Sequence, residues 1–192
     1  MICAIVLAAG QSRRMGAHKL LLPLRGTTVI GHIVAQLLRS TVDKIFVVVG
    51  HKGEKVAEQM PEGAVSIVTN PNYQAGMLSS VRCGIEHLPQ DCDAVLVVLG
   101  DQPSITSELV DEMVKSFAGT EEGVVVPVYQ GKRGHPILFA ERYCSEVSTC
   151  FDDVGLKGLL HAHPDEVFEL EVASPGVLSD MDHPEDYKRE LA

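Results

Sequence analysis

The chain has 192 residues, a length that can bury a sizeable core and that predicts one domain spanning residues 1–192. Hydrophobic residues make up 45% of the chain and charged residues 22%, and this balance is typical of a soluble globular protein. The formal net charge of −10 argues against a nucleic-acid-binding protein and against a membrane-surface protein, because polyanionic partners would repel the chain.

Cysteine usage and hydropathy argue against further classes of protein. The five cysteines are odd in number and no two have CxxC spacing, so neither a disulfide framework nor a zinc site is predicted. No charged segment precedes the first apolar run, which argues against a signal peptide. No apolar stretch approaches the ~20 residues that span a bilayer. We therefore expect a cytoplasmic protein that binds neither membrane nor nucleic acid.

Charge is unevenly distributed along the chain. Residues 1–42 contain five basic side chains and no Asp or Glu, so all 26 acidic residues lie after residue 42. This pattern favours a site for an anion in the N-terminal part, although solvated charges segregated by chance would give the same pattern.

Apolar runs alternate with helix-like patterns in chain order, and Thr27 or Thr28 and Thr106 are suitable helix caps. After residue 127 this alternation weakens, and residues 129–139 read as a loop that returns into a strand. The predicted strands are residues 2–7, 45–49, 65–68, 94–99, 124–127 and 167–172. The predicted helices are residues 27–39, 53–60, 77–87, 106–117, 155–162 and 184–191.

Strands without polar alternation that are separated by helices predict a mostly parallel sheet covered on both faces. The expected fold class is α/β, with a three-layer, doubly wound sheet. Ligands bind at the carboxyl ends of the strands in such sheets. This rule directs attention to the loops that start near Ala8, Gly50, Thr69 and Gly100.

The first candidate site is the loop that directly follows the first predicted strand. Ala8, Ala9 and Gly10 are small, so their backbone N–H groups can approach phosphate oxygens closely. Neither GxxxxGK[ST] nor GxGxxG occurs in this loop, so a Walker P-loop and a dinucleotide fold have little support. An exposed turn with incidental arginines is the structural alternative. The basic side chains that would supply charge for a triphosphate are Arg13, Arg14 and Lys19.

Carboxylates in two later segments are the other candidates. Asp101 follows the predicted strand 94–99, and a carboxylate at that position can hold Mg²⁺ against phosphates. Asp180 and Asp182 are two residues apart and share a face if the segment is extended, so one of them could be a second metal ligand. The structural alternatives are a turn before Pro103 and a solvated acidic run before the last helix.

Together these segments resemble the molybdenum cofactor cytidylyltransferases, a branch of the cofactor and sugar nucleotidyltransferases. The similarity spans nearly the whole chain, and His183 departs from it because a small hydroxyl residue is expected there. The matching segments are residues 7–16 (LAAGQSRRMG), 19–23 (KLLLP), 70–71 (NP), 76–82 (GMLSSVR), 100–103 (GDQP), 134–136 (GHP) and 180–186 (DMDHPED).

The resemblance implies a Rossmann-like nucleotide-diphospho-sugar transferase fold and a Mg²⁺-dependent reaction. In that reaction CMP passes from CTP to the terminal phosphate of the molybdopterin cofactor and pyrophosphate is released. The implied alternatives are another acceptor such as a sugar phosphate, guanylyl transfer to molybdopterin, and a non-catalytic carrier of the cofactor. A molybdoenzyme or its insertion chaperone would then be a protein partner.

The resemblance also implies roles for individual residues. Arg14, Lys19 and Asp101 would be catalytic, with Lys19 at the α-phosphate and Asp101 and Asp182 as the Mg²⁺ ligands. The residues that would bind the nucleotide or the acceptor are Ala8, Ala9, Gly10, Arg13, Arg14, Lys19, Ser79 or Ser80, and His135 in the wall facing the acceptor.

Overall fold

The computed structural model describes residues 1–12 and 15–191, so the predicted site residues Arg13 and Arg14 lie outside the described residues. None of the described helices has the length and apolar character that a bilayer crossing requires. The strands are β1 (Ile2–Ala8), β2 (Pro23–Leu24), β3 (Thr27–Thr28), β4 (Lys44–Val49), β5 (Ser66–Thr69), β6 (Ala94–Leu99), β7 (Val124–Tyr129), β8 (Lys132–Arg133), β9 (Ile137–Ala140) and β10 (Val167–Glu171). The helices are α1 (Val29–Arg39), α2 (Gly53–Ala57), α3 (Met77–Ile85), α4 (Ser107–Gly119), α5 (Cys144–Thr149), α6 (Lys157–Ala162) and α7 (Pro184–Glu190).

The main sheet has the strand order β10-β7-β9-β6-β1-β4-β5, and β8 pairs with β7. Strand β1 runs parallel to both of its neighbours, β4 and β6. Strand β9 lies between β6 and β7 and runs antiparallel to both. The structure therefore confirms the mostly parallel, doubly wound sheet.

The two faces of the sheet carry separate apolar cores, and β1 contributes to both because successive side chains point to opposite faces. Ala4 and Val6 pack in one core together with buried residues of α1 and α4. Cys3 and Ile5 pack in the other core together with buried residues of α3, α5 and α6. Helices therefore cover the sheet on both sides, which confirms the predicted three layers.

Two predicted caps fix the starts of α1 and α4. The side chain of Thr28 accepts a hydrogen bond from the backbone N–H of Gly31, and that of Thr106 accepts one from Leu109. Helix α1 begins later than the predicted residue 27, because β3 pairs with β2 in a small separate hairpin. Both predicted helices are therefore present, and they begin at Val29 and Ser107 rather than at residues 27 and 106.

Helix α5 is the helix that the sequence pattern did not indicate. It has only six residues, and its interior is rich in hydroxyl side chains, which have low helix propensity. Ser148 and Thr149 donate hydrogen bonds to the carbonyl groups four residues earlier. Packing of Cys144 and Val147 into the core stabilises this helix in place of intrinsic propensity.

The order of the strands places a topological switch point between β1 and β6. The chain moves from β1 outwards through β4 to β5, and then returns to the other side of β1 as β6. The loops after β1 and β6 consequently diverge at the carboxyl edge of the sheet and leave a crevice, which is the usual ligand position in such folds.

Candidate functional site

A cavity of about 400 Å³ opens at this switch point. The charged side chains of Lys19, Asp101 and Asp182 lie together in its lining and are called the polar end of the cavity below. The residues that line it are Leu7, Ala9, Gly10, Gln11, Ser12, Met15, Lys19, Leu20, Tyr73, Gly76, Met77, Ser80, Leu99, Asp101 and Asp182. A polyanion with an apolar or aromatic part would match this combination of charged and apolar side chains.

Three charged side chains converge at the polar end although they are far apart in the sequence. The Lys19 ammonium donates a hydrogen bond to Asp182 Oδ1 at 2.9 Å and forms a second ion pair with Asp101 Oδ2. The side chain of Lys19 is only 12% exposed, whereas that of Asp182 is 42% exposed. The structure therefore brings the N-terminal loop and both predicted carboxylates to one point.

The loop after β1 positions Lys19 through its backbone. Ser12 Oγ accepts a hydrogen bond from the backbone N–H of Lys19 at 3.1 Å, which closes the loop over seven residues. Lys19 then starts a single 3-10 turn in which Leu20 is buried. The backbone at Lys19 is thus fixed on both sides, while its side chain extends into the cavity.

The close approach of β6 to β1 positions Asp101. The backbone N–H of Gly100 donates to the carbonyl oxygen of Leu7 at 3.0 Å. A Cβ atom at position 100 would lie 2.6 Å from that same oxygen, a distance at which the backbone would have to shift. Only glycine lets the two strand ends meet here, and Asp101 consequently follows directly at the edge of the crevice.

The C-terminal segment positions Asp182 and distinguishes it from Asp180. The backbone N–H of Met181 donates to the carbonyl oxygen of Asp101 at 3.0 Å, and the buried side chain of Met181 anchors the segment in the core. Asp180 instead accepts a hydrogen bond from Gln102 Nε2. Asp182, rather than Asp180, forms the ion pair with Lys19. The carboxylate of Asp186 accepts from the backbone N–H of Asp182 and fixes its position further.

Burial and ion pairing have opposite effects on the pKa values of this group. Burial favours the neutral form of Lys19, but the carboxylates of Asp101 and Asp182 outweigh it, so the pKa of Lys19 is raised. Burial also raises the pKa of Asp101, and the nearby Lys19 ammonium only partly offsets that effect. The site thus holds a charged lysine against the carboxylates in a poorly solvated position.

Tyr73 forms part of the wall of the cavity. A Cβ atom at Gly50 would lie 2.7 Å from Tyr73 and 2.9 Å from Ala9, so the absence of a side chain at Gly50 lets Tyr73 pack beside Ala9. The ring of His51 lies between Tyr73 and His18, with centroid distances of 6.3 Å and 6.1 Å. Tyr73 was not among the residues predicted from the sequence, although its loop, which starts near Thr69, follows the carboxyl end of a predicted strand.

Ser79 and Ser80, either of which was expected to contact the nucleotide, occupy different positions. Ser80 is buried and lines the cavity. Ser79 faces a neighbouring cleft and donates a hydrogen bond to the carbonyl oxygen of Gly76 at 2.8 Å. The side-chain amide of Asn70 donates to both hydroxyl groups at 3.0 Å. Ser80 is therefore the serine that a ligand in the cavity would meet.

The remaining predicted residues lie beside the cavity or behind it. Gly10 lines the cavity, whereas Ala8 is fully buried at the end of β1. The backbone N–H of His135 donates to Val177 at 2.9 Å, and its side chain is not among the described residues that line the cavity. Burial and the nearby Lys157 lower the pKa of His135 to about 4, so its imidazole is neutral at pH 7.

The polar end of the site fits a divalent cation. Asp101 and Asp182 both contact one positively charged atom, the Lys19 nitrogen, so they are close enough to share a cation. No group of three or more His, Cys, Asp or Glu side chains with metal-binding geometry occurs in the described part of the chain. Water and substrate phosphates would have to complete the coordination, which is the usual arrangement for Mg²⁺.

Known bacterial proteins are similar to this chain in sequence and in structure. The chain is 25% identical over 187 residues to the molybdenum cofactor cytidylyltransferase of Escherichia coli (strain K12), an alignment that covers 97% of this chain and 93% of that protein. Rv0371c from Mycobacterium tuberculosis H37Rv superposes with a TM-score of 0.86 at 28% identity, over 99% of this chain and 97% of that one. A complex of Rv0371c with manganese superposes with a TM-score of 0.83 at the same identity and coverage.

Residues 4–167 match the family of MobA-like NTP transferase domains. The match includes both strands of the switch point, the loop that carries Lys19, and Asp101; it ends before Asp182. Together with the sheet order and the site, it shows that this chain belongs to the MobA-like NTP transferase family.

Proposed function

We propose that this protein is a cytoplasmic, Mg²⁺-dependent enzyme of one domain that transfers CMP from CTP to the terminal phosphate of the molybdopterin cofactor and releases pyrophosphate. The observation that carries the proposal is the convergence of Lys19, Asp101 and Asp182 at one end of the cavity. The similarity to the Escherichia coli cytidylyltransferase over nearly the whole chain supports the choice of CTP and of the acceptor.

The position of the charged cluster suggests how the nucleotide lies in the cavity. The triphosphate would lie at the polar end, where the Lys19 ammonium can contact phosphate oxygens. The base and ribose would then lie between the loop after β1 and the wall that contains Tyr73 and Ser80. Backbone groups of Ala9 and Gly10 face the same space, in keeping with the role expected for the small residues of this loop. The assignment of Arg13 and Arg14 to the phosphates stays a prediction.

The proposed chemistry needs no protein nucleophile. The terminal phosphate of the acceptor is already an anionic nucleophile, so catalysis consists of holding it in line with the α-phosphate and neutralising charge. Asp101 and Asp182 would hold the metal ion, which supplies charge neutralisation at the phosphate oxygens when it is bound. Lys19 would offset the charge that develops on the α-phosphate and on the leaving pyrophosphate. The manganese complex of Rv0371c supports a divalent cation in a related protein.

Pyrophosphate release tests the proposed reaction. Each of the four nucleoside triphosphates should be assayed in Mg²⁺ with and without the molybdopterin cofactor. We expect turnover with CTP only when the cofactor is present. Turnover with GTP, or with a sugar phosphate as acceptor, would replace the proposed substrates by those alternatives. Nucleotide and cofactor binding without turnover would instead indicate a carrier or insertion partner.

The different positions of Ser79 and Ser80 give a matched pair of variants. Ser80→Ala should weaken CTP binding by roughly fivefold, since a hydrogen bond contributes about 1 kcal/mol. Ser79→Ala should change CTP affinity less, because that hydroxyl faces the neighbouring cleft and bonds to the carbonyl oxygens of Gly76 and Asn72. Calorimetric titration of both variants with CTP measures the difference. A larger loss of affinity in Ser79→Ala would contradict the proposed position of the nucleotide.

A further inference from the structure

Lys19 occupies the position that the proposed function gives to a divalent cation. Its ammonium nitrogen lies 2.9 Å from Asp182 Oδ1 and in direct ion-pair contact with Asp101 Oδ2. Only 12% of the lysine side chain and 20% of the Asp101 side chain are exposed. Both carboxylates thus contact the positive charge of Lys19 in a partly desolvated position.

We propose that Lys19 is an internal counterion that competes with the divalent cation for Asp101 and Asp182, so that the cation and the triphosphate bind cooperatively. The proposal rests on the proposed function for the nature of the two ligands. It concerns the order and coupling of their binding, which the reaction itself does not specify.

Charge explains why the cation alone should bind weakly. The two carboxylates carry two negative charges, and Lys19 already neutralises one of them. A divalent cation placed between them would lie within a few ångströms of the ammonium group, where repulsion between like charges is strong at low dielectric. The cation can therefore bind tightly only if the ammonium group of Lys19 moves away from both carboxylates.

The lining of the cavity explains why this movement depends on the triphosphate. Asp101 and Asp182 are the only carboxylates among the described residues that line it. An ammonium group that leaves them therefore has no other carboxylate to contact within the cavity. The backbone of Lys19 is fixed by Ser12 and by its 3-10 turn, so only the side chain can swing. A triphosphate in the cavity supplies the anion that the displaced ammonium needs.

The same contacts predict a thermodynamic linkage. If the triphosphate stabilises the displaced position of Lys19, it raises the affinity of the two carboxylates for the cation, and the cation raises the affinity for the triphosphate by the same factor. Replacement of Lys19 by an uncharged residue of similar length should remove the competition. It should therefore strengthen binding of the cation in the absence of nucleotide.

Titration with Mn²⁺ alone tests the proposal without any turnover. We expect Lys19→Met to bind Mn²⁺ about tenfold more tightly than the unmodified protein, within the usual range of coupling between sites. The exposed Lys55 in α2 provides the control, and Lys55→Met should bind Mn²⁺ as the unmodified protein does. Lys19→Gln serves as a second variant if Lys19→Met unfolds. The double variant Lys19→Met/Asp182→Asn should lose the gain, which would place the bound ion at this site.

The coupling is measured with a non-hydrolysable CTP analogue. The analogue should raise Mn²⁺ affinity about tenfold in the unmodified protein and much less in Lys19→Met. Unchanged or weaker Mn²⁺ binding by folded Lys19→Met and Lys19→Gln would overturn the counterion role. Because the metal titration contains no nucleotide, its outcome is separate from failure of the proposed reaction, which would show as absent CTP binding or turnover.

Discussion

Replacement of Lys19 by alanine is expected to lower kcat for pyrophosphate release by about 10²–10³. Among the described residues that line the cavity, Lys19 supplies the cationic group, which contacts both carboxylates. Without it, the charge that develops on the α-phosphate and the leaving pyrophosphate has one donor fewer. Because this interaction strengthens in the transition state, kcat and kcat/KM should fall by about the same factor and KM should change little.

Loss of stability must be separated from loss of chemistry in this variant. Asp101 is largely buried and loses its cationic partner in Lys19→Ala, so a lower Tm is expected. Activity should therefore be compared well below the Tm of the variant, with folding checked by circular dichroism. Lys55→Ala, at an exposed position of α2, provides the control. Activity near that of the unmodified protein in folded Lys19→Ala would remove Lys19 from the catalytic group.

The convergence of the N-terminal loop and Asp101 could be predicted because it follows from strand order. The loop after residue 8 and the loop after residue 99 each follow a fully apolar strand, and parallel strands place their carboxyl ends at one edge. The absence of Asp and Glu from residues 1–42 also favoured an anion site in the N-terminal part of the chain. Both features can be recognised in the sequence alone, because neither depends on contacts between distant segments.

The choice between neighbouring residues could not be predicted in the same way. Ser79 and Ser80 differ because the Ser79 hydroxyl bonds back to the carbonyl oxygens of Asn72 and Gly76 and faces the neighbouring cleft, whereas Ser80 lines the cavity. Asp180 and Asp182 differ because Gln102 binds the first and Lys19 the second. These selections depend on contacts between segments that are far apart along the chain, and spacing alone does not reveal them.

The position of β9 illustrates the same limit at the level of the fold. The sequence predicted a strand returning after residue 129, but β9 enters the sheet between β6 and β7 and runs against both. Its four residues are all buried, so the pattern is that of any short core strand. Only pairing with Val95 and Val125 on opposite sides fixes its direction and place.

The second large effect is expected at Asp101. Asp101→Asn should lower turnover by about 10²-fold or more, because the neutral amide weakens both metal binding and the ion pair with Lys19. The variant keeps the size of the side chain, and the backbone contacts of Gly100 with Leu7 and of Met181 with residue 101 do not involve the carboxylate. The fold around the crevice should therefore persist, as a thermal unfolding curve can verify.

Asp180→Asn is the matched control for this prediction. Asp180 lies next to Met181 in the same segment as Asp182, and its carboxylate contacts Gln102 rather than Lys19. An amide oxygen can still accept that hydrogen bond, so turnover should stay within a few-fold of the unmodified protein. Asp182→Asn should instead resemble Asp101→Asn, and added Mg²⁺ should partly restore its activity because that carboxylate is the more exposed of the pair. If Asp180→Asn lost as much activity as Asp101→Asn, general acidity of the segment, rather than the geometry around Lys19, would control the reaction.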